Sequence, residues 1–351
     1  MRVFTGLDQR QRVQIGPVMA PVHNVVAFLG LSVLSAALAC VSIAIGSIEL
    51  DFWDVLRVVS GGPATEDERF AVFTVRLPRI LVGFMVGWVL AMAGATLQSL
   101  AQNPLAEPGL LGLSQGALLA IMLTMVFFPA VPRPYYPVIA MCGGLAVGVS
   151  LLLLVGRHNA GGIAILLMGI AVQTTLSSVS MMLLLYTPQE ESYQLARWMN
   201  GSLYYSTWEN VARFGWWFGA SVVALLLVGR SLNVFDLGDQ MAMSLGEPAS
   251  WSKPAILIVA STITAASVSL VGPIVFVGIL APHLANSVSR ATGASRLLLA
   301  SVMGGLLIMS ADLLTRVTTT YAYLPIGLTI VIIGAPAFIL TVRFAAIREA
   351  R

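Results

Sequence analysis

The residues able to do chemistry in this chain are few, and most fail on spacing. "GLSQGA" sets Ser114 between Gly112 and Gly116, the spacing of a nucleophile elbow, which needs a strand leading into a helix. No strand pattern precedes it, and the surrounding apolar run offers no acid–base pair for an intramembrane hydrolase. His23, His158 and His283 are scattered, with no acidic or Cys residue at ligand spacing, which argues against zinc. A phosphate-binding loop ends in Lys followed by Ser or Thr, and the single lysine, Lys253, stands in "SWSKPAIL". ATP hydrolysis by that route is excluded.

What remains polar is "QNPLAEPGLLG" at 102–112, wedged between the uncharged runs Ile80–Ala101 and Pro108–Pro132. Pro104 and Pro108 forbid a continuous helix, and Asn103 can satisfy freed backbone groups where water reaches. By spacing alone this is a tight turn or something more. Arg76, Arg79 and Arg316 stand at the ends of apolar runs, where arginines commonly snorkel into headgroups. Asp312 lies one helical turn before Arg316 and is placed to hold its guanidinium.

The elements that position these residues follow from composition. Hydrophobic residues make up 58% of the 351 and charged residues 10%, with mean hydropathy +0.88. Soluble domains hold about 25% charged residues, so this surface belongs in lipid. A spanning helix needs roughly 20 apolar residues. Ten spans satisfy that pattern, at 24–46, 80–101, 108–128, 137–156, 163–186, 212–229, 254–270, 274–289, 297–315 and 325–344. The seventh and eighth share one uncharged run, divided at Gly272-Pro273, where a Gly-Pro pair breaks a helix. The fold class expected is an all-α polytopic membrane protein, a single transmembrane domain over 1–351.

The first apolar run, Val22–Ile48, is about twice the length of a secretory h-region, which favours an uncleaved span after a cytoplasmic segment 1–23. Ten spans then return the C-terminus to the same side. Eleven of the nineteen basic residues fall inside, a weak bias in the expected direction. Their scatter suggests no nucleic-acid footprint. Cys40 and Cys142 lie in apolar runs and read as small hydrophobes. Gly143-Gly144 and Gly304-Gly305 sit where small residues let helices approach.

Two connections exceed turns. Outside, Glu49–Val75 holds Trp53 and the acidic cluster Glu66, Asp67, Glu68. Inside, 230–253 holds "FDLGDQMAMSLGEP": Asp236 could cap a short helix, with Leu237, Met241 and Leu245 every four residues and Gly246 ending it. Spacing supports a lipid-interface helix and a partner contact equally.

Several separated motifs in order now resemble one family. "RLPRILVGFMVGWVLAMAGATLQSLAQNPLAEPGLLGLSQGA" (76–117), "WMNGSL" (198–203), "VGPIVFVGILAPH" (271–283), "ADLLTR" (311–316) and "LPIGLTIVIIGAPAFI" (324–339) are similar to the FecCD-type permeases. These are membrane subunits of ABC importers for iron–siderophore complexes, haem and vitamin B12. The resemblance runs from about residue 25 to 345.

It implies ten membrane helices per subunit in the bacterial inner membrane, with both termini cytoplasmic. Two permease subunits, identical or paralogous, would flank a central path. Separate ABC ATPase subunits would bind ATP and Mg inside, so this chain needs no cofactor of its own. A periplasmic or lipid-anchored binding protein would dock outside. By the same resemblance, Asn103 and Leu105 narrow the inner mouth of the path, with Gly161 and Gly162 as the other half of the gate. Arg76, Arg79 and Arg316 receive carboxylates of the binding protein. Leu245, Gly246 and Glu247 belong to a coupling helix seated in the ATPase. The chain departs from the pattern after His283, where Leu284, Ala285 and Asn286 replace the usual hydrophobic pair and Arg. The implied cargo is an iron–siderophore complex, with haem or vitamin B12 as alternatives. An ion-coupled secondary transporter is the alternative of another class; it needs intramembrane ionisable residues, for which Asp312 is the candidate.

Overall fold

The computed structural model describes residues 2–5, 11–15, 18–46, 50–155, 162–186, 198–318 and 324–349. Among the described residues, ten apolar helices follow one another: α1 Val22–Ala44, α2 Leu77–Ala101, α3 Leu113–Phe127, α4 Tyr136–Val155, α5 Gly162–Leu184, α6 Trp208–Phe235, α7 Ala249–Val271, α8 Val277–Val288, α9 Gly293–Thr318 and α10 Ile326–Glu349. Each overlies one of the ten spans expected from hydropathy. Among the described residues seven are long and apolar enough to cross a membrane; α3, α8 and the apolar part of α10 are shorter. A small antiparallel sheet precedes them, β1 Arg2–Thr5, β2 Gln11–Ile15 and β3 Val18–Pro21, with Val3 opposite Val13 and Val13 opposite Ala20. Apolar periodicity did not point to it.

Helix α2 is the axis of the bundle. Pro78 stands where the π-helical turns Phe70–Arg76 pass into α geometry, and the helix is buried without interruption from Met85 to Ala101. Helices α9, α6, α7 and α8 pack around it. In lipid no hydrophobic force draws apolar helices together, so close van der Waals contact must do so. Glycines supply that contact: a methyl group at Gly87 would strike the backbone of Gly304, and one at Gly94 would strike that of Gly278. Gly143 lies in the same way on Gly116. Several buried hydroxyls return to their own helix, as Thr96 Oγ1 does to the Met92 carbonyl at 2.8 Å and Ser301 Oγ to the Leu297 carbonyl at 2.7 Å.

The Gly272-Pro273 break is present and is wider than a kink. Gly272 (φ +79°) ends α7, Phe276 (φ +77°) precedes α8, and the chain between them is non-helical. Irregular backbone inside a membrane protein needs internal partners. "WMNGSL" provides one: the Ser202 amide donates to the Val271 carbonyl at 2.8 Å.

Several boundaries differ from expectation. α3 begins at Leu113 rather than 108, because Pro108–Leu111 winds as a 3-10 turn and Gly112 adopts φ +78°. α6 continues six residues past the expected end at 229, since Leu232 and Phe235 are buried in the bundle while Arg230 points outward. With α7 starting at Ala249, the inner connection shrinks from 230–253 to 236–248. Asp236 does not cap the short inner helix. It closes α6, and Gly238 (φ +93°) leads into that helix, Asp239–Ser244, without a side-chain cap. Between α1 and α2, Phe52–Val59 is a short helix with a capping box between Asp51 and Asp54, burying Val55 and Val58 beside Ile43 and Ile80.

Candidate gate, coupling helix and outer arginine cluster

The turn after α2 is built by three local devices. Gln102 takes the left-handed conformation (φ +50°) that ends the helix. Asn103 Oδ1 then accepts from the Leu105 amide at 2.9 Å, an Asx turn, while Leu105 itself is 48% exposed. Glu107 next turns back into the protein, only 6% exposed, and its Oε1 accepts from the Phe276 amide at the head of α8. Burial pushes the Glu107 carboxyl up to about 7, against the Phe276 and Gly278 backbone N–H groups, which draw it down. Pro108 packs on Gly278, where an added Cβ would stand 3.0 Å from the proline ring. The expected gate turn and the expected helix break are therefore one packed unit. Gly161 lies outside the described residues; Gly162 opens α5.

Ser114, the false nucleophile, sits in the first turn of α3 beside a small cavity shared with Glu107 and the unpartnered, buried Thr264 hydroxyl. It follows a 3-10 turn, not a strand. His283 packs against Phe338 with ring centroids 4.8 Å apart and the rings tilted by 54°.

A polar knot that the sequence did not single out lies at the inner end of α2. Asp236 Oδ1 accepts from Ser99 Oγ at 2.6 Å and from Arg296 Nη1 at 3.0 Å. Arg296 Nη2 also donates to Gln98 Oε1 at 3.1 Å, and Gln98 Nε2 donates to the Gly278 carbonyl at 3.2 Å. Gln102 Nε2 reaches the Ser99 carbonyl at 2.8 Å and the Phe235 carbonyl. Three polar residues in the last turns of an otherwise apolar span were the available signal.

The segment expected to be a coupling helix forms the short helix Asp239–Ser244. Leu237, Met241, Met243 and Leu245 are all more than half exposed; Met241 and Met243 lie within the helix, Leu237 precedes it across the non-helical Gly238, Leu245 closes it, and its buried residue is Ala242. Gly246 (φ +85°) ends it in open space, with the half-buried Glu247 donating its amide to the Ala242 carbonyl at 3.0 Å. Lys253 Nζ pins it from α7 through Asp239 Oδ2 at 2.6 Å, and lies 5.4 Å from the centre of the Phe235 ring.

The outer arginines converge. Arg79 Nε pairs with Asp312 Oδ1 at 2.7 Å. Arg316 Nε stands 3.1 Å from Asp312 Oδ2, an ion pair by distance whose N–H does not lie along a hydrogen-bond direction. Arg316 Nη1 donates to the Ser42 carbonyl at 2.8 Å, and Arg76 Nη1 donates to the Ile43 and Ala44 carbonyls. Two guanidinia thus complement the negative end of the α1 dipole. All three expected arginines lie at this end of the bundle and are largely covered: Arg79 and Arg316 share Asp312, while Arg76 and Arg316 hold the end of α1.

Comparison with known proteins agrees with this architecture. The model of the FecCD transport family matches residues 33–344. The iron(3+)-hydroxamate import system permease protein FhuG of Bacillus subtilis is 31% identical over 306 residues, covering 85% of this chain and 91% of that protein. The Fe(3+) dicitrate transport system permease protein FecD of Escherichia coli is 32% identical, covering 79% and 86%. The cobalamin import system permease protein BtuC of Halobacterium salinarum is 32% identical, covering 84% and 80%. A solved inward-facing structure of an ABC transporter assigned to the metal-chelate type superposes with TM-score 0.78 at 25% identity, covering 91% of this chain and 99% of that one. This multi-pass membrane protein belongs to the FecCD transport family.

Proposed function

We propose that the chain is the permease subunit of an ATP-binding-cassette importer that moves an iron–siderophore complex inward across the bacterial plasma membrane, with ATP hydrolysed by a separate subunit. The observation that carries this is the short helix Asp239–Ser244, read as the coupling helix: exposed apolar side chains Leu237, Met241, Met243 and Leu245 cluster in and around it, and the Lys253–Asp239 ion pair braces it. With its single lysine spent in that brace, the chain supports ATP-driven transport only through a partner. Both termini lie on the cytoplasmic side in this reading, and a second permease subunit completes the path.

Asn103 and Leu105 line the inner mouth, with Gly161 and Gly162 opposite. Leu245, Gly246 and Glu247 meet the ATPase. Arg76, Arg79 and Arg316 receive the binding protein: with Asp312 these four side chains sum to two positive charges, which favours approach of carboxylates. Hydroxamate and dicitrate relatives favour a ferric chelate as cargo; the archaeal cobalamin relative is the observation that keeps vitamin B12 as a second reading. Ion coupling is disfavoured because Asp312 is already held by two arginines.

The test is reconstitution with the candidate ATPase and binding protein in proteoliposomes. Uptake of a ferric hydroxamate, ferric dicitrate and cobalamin is measured with ATP and, separately, with an ion gradient alone. ATP-dependent uptake of a ferric chelate is expected. Uphill uptake on a gradient without the ATPase would overturn the reading.

A further inference from the structure

Whatever force reaches the coupling helix must leave it through its attachments. Of residues 239–244 only Ala242 is buried, so apolar packing holds the helix weakly. Polar ties take over. From the chain that follows the helix Lys253 grips Asp239; from the chain ahead of it Asp236, three residues earlier, enters the knot with Ser99 and Arg296.

From Asp236 the hydrogen bonds run on without a gap. Arg296 binds Gln98, and Gln98 binds the Gly278 carbonyl in the first turn of α8. The head of the same helix receives Glu107, whose chain leads back through Leu105 and Asn103 to Gln102, and Gln102 returns to the Phe235 carbonyl beside Asp236. The circuit closes on itself and encloses the gate turn. Its members come from α2, α6, α8 and α9, and the backbone it grips at Phe276 and Gly278 adjoins the non-helical stretch between α7 and α8. Short charge-assisted bonds in a low-dielectric setting resist stretching, so displacement of Asp236 is carried to Gln98 and Gly278 rather than absorbed.

We propose that Asp236, Arg296 and Gln98 are positioning residues that transmit coupling-helix movement to the gate turn Asn103–Leu105 and to the head of α8. This rests on the importer reading above. Coupling of this kind is established by a shifted equilibrium rather than by adjacency, and the experiment must separate transmission from simple bracing.

The complete transporter, with ATPase and binding protein, is reconstituted with the wild-type chain and with Asp236→Asn, Arg296→Gln, Gln98→Leu and Asp236→Glu. ATPase association, ATP hydrolysis and cargo uptake are measured on the same vesicles. In the first three variants the ATPase is expected to stay bound and hydrolyse ATP within about twofold of wild type, while uptake per ATP falls about tenfold, the usual size of such couplings. Asp236→Glu, which keeps the charge, should recover most of the loss. Gln98→Leu leaves the ion pair intact and is nearly isosteric, so it serves where the charge variants fail to assemble. Unchanged uptake per ATP in Gln98→Leu, or losses of uptake that only track lost ATPase binding, would overturn the proposal. A wild-type complex that takes up nothing with ATP would instead sink the importer reading.

Discussion

Arg79 Nε and Asp312 Oδ1 lie 2.7 Å apart, joining the outer ends of α2 and α9 across 233 positions of sequence, with both side chains mostly covered. Removing one partner of a covered ion pair strands the other charge. Here Asp312 also faces Arg316, so its loss leaves two guanidinia against each other.

Asp312→Asn is therefore expected to destabilise the protein by about 3 kcal/mol, read as a lowered melting temperature in detergent. An unchanged melting temperature would show the pair to be screened. The same variant should associate faster with the binding protein at low salt, because the internal competitor for the arginines is gone.

Reversing the outer charge tests docking. Arg76→Glu with Arg79→Glu should weaken binding-protein association while the ATPase stays bound, measured by co-purification of each partner. The double variant also disturbs the contacts of Arg76 with the end of α1, so retained ATPase binding is the internal control for folding. Association equal to wild type would remove the docking assignment.

Glu107 gives a pH dependence with a definite sign. Its folded-state carboxyl is raised from 4.5 to about 7, so between those values the folded protein holds more protons than the unfolded chain. Stability is then greatest at the acid end of that window and falls as pH rises through it, by a few kcal/mol at most. Thermal melts of the wild type from pH 5 to pH 8 should show the decline, and Glu107→Gln should flatten it. A parallel decline in both would assign it to other groups.

Gly246 stands at φ +85° with open space around it. Gly246→Val meets no clash and is penalised by backbone strain, about 1–2 kcal/mol, at the end of the coupling helix. Hydrolysis by the bound ATPase should persist while uptake falls; normal uptake would count against the coupling assignment.

Gly278→Val probes the packed unit at the gate. Its side chain would enter a space already bounded by the Pro108 ring and Glu107, so the turn must shift or the protein must lose stability. Reduced expression and melting temperature are expected, and a variant of wild-type stability would show the contact to be slack.

Much of this architecture was legible in the chain itself, because hydropathy and helix breaking are local. Apolar runs placed all ten helices, Pro104 and Pro108 placed the turn, and Gly272-Pro273 placed the break. Charge alone misjudged the end of α6, since Arg230 reaches outward while Leu232 and Phe235 remain packed. Asp236 was misread for a related reason: an Asp near a helix start satisfies the capping rule whether or not another partner waits in space. That partner, Arg296, is 60 positions away.

By itself the sequence determined that this chain lives in lipid, where it crosses, and where its helices must stop, for each of these depends on neighbours along the backbone. Only the tertiary structure decided that Glu107 reaches the head of α8, that Arg296 joins Asp236 to Gln98, and that Arg79 and Arg316 share Asp312. Buried polar groups must find partners wherever packing brings them, and which partners those are is a property of the packed bundle.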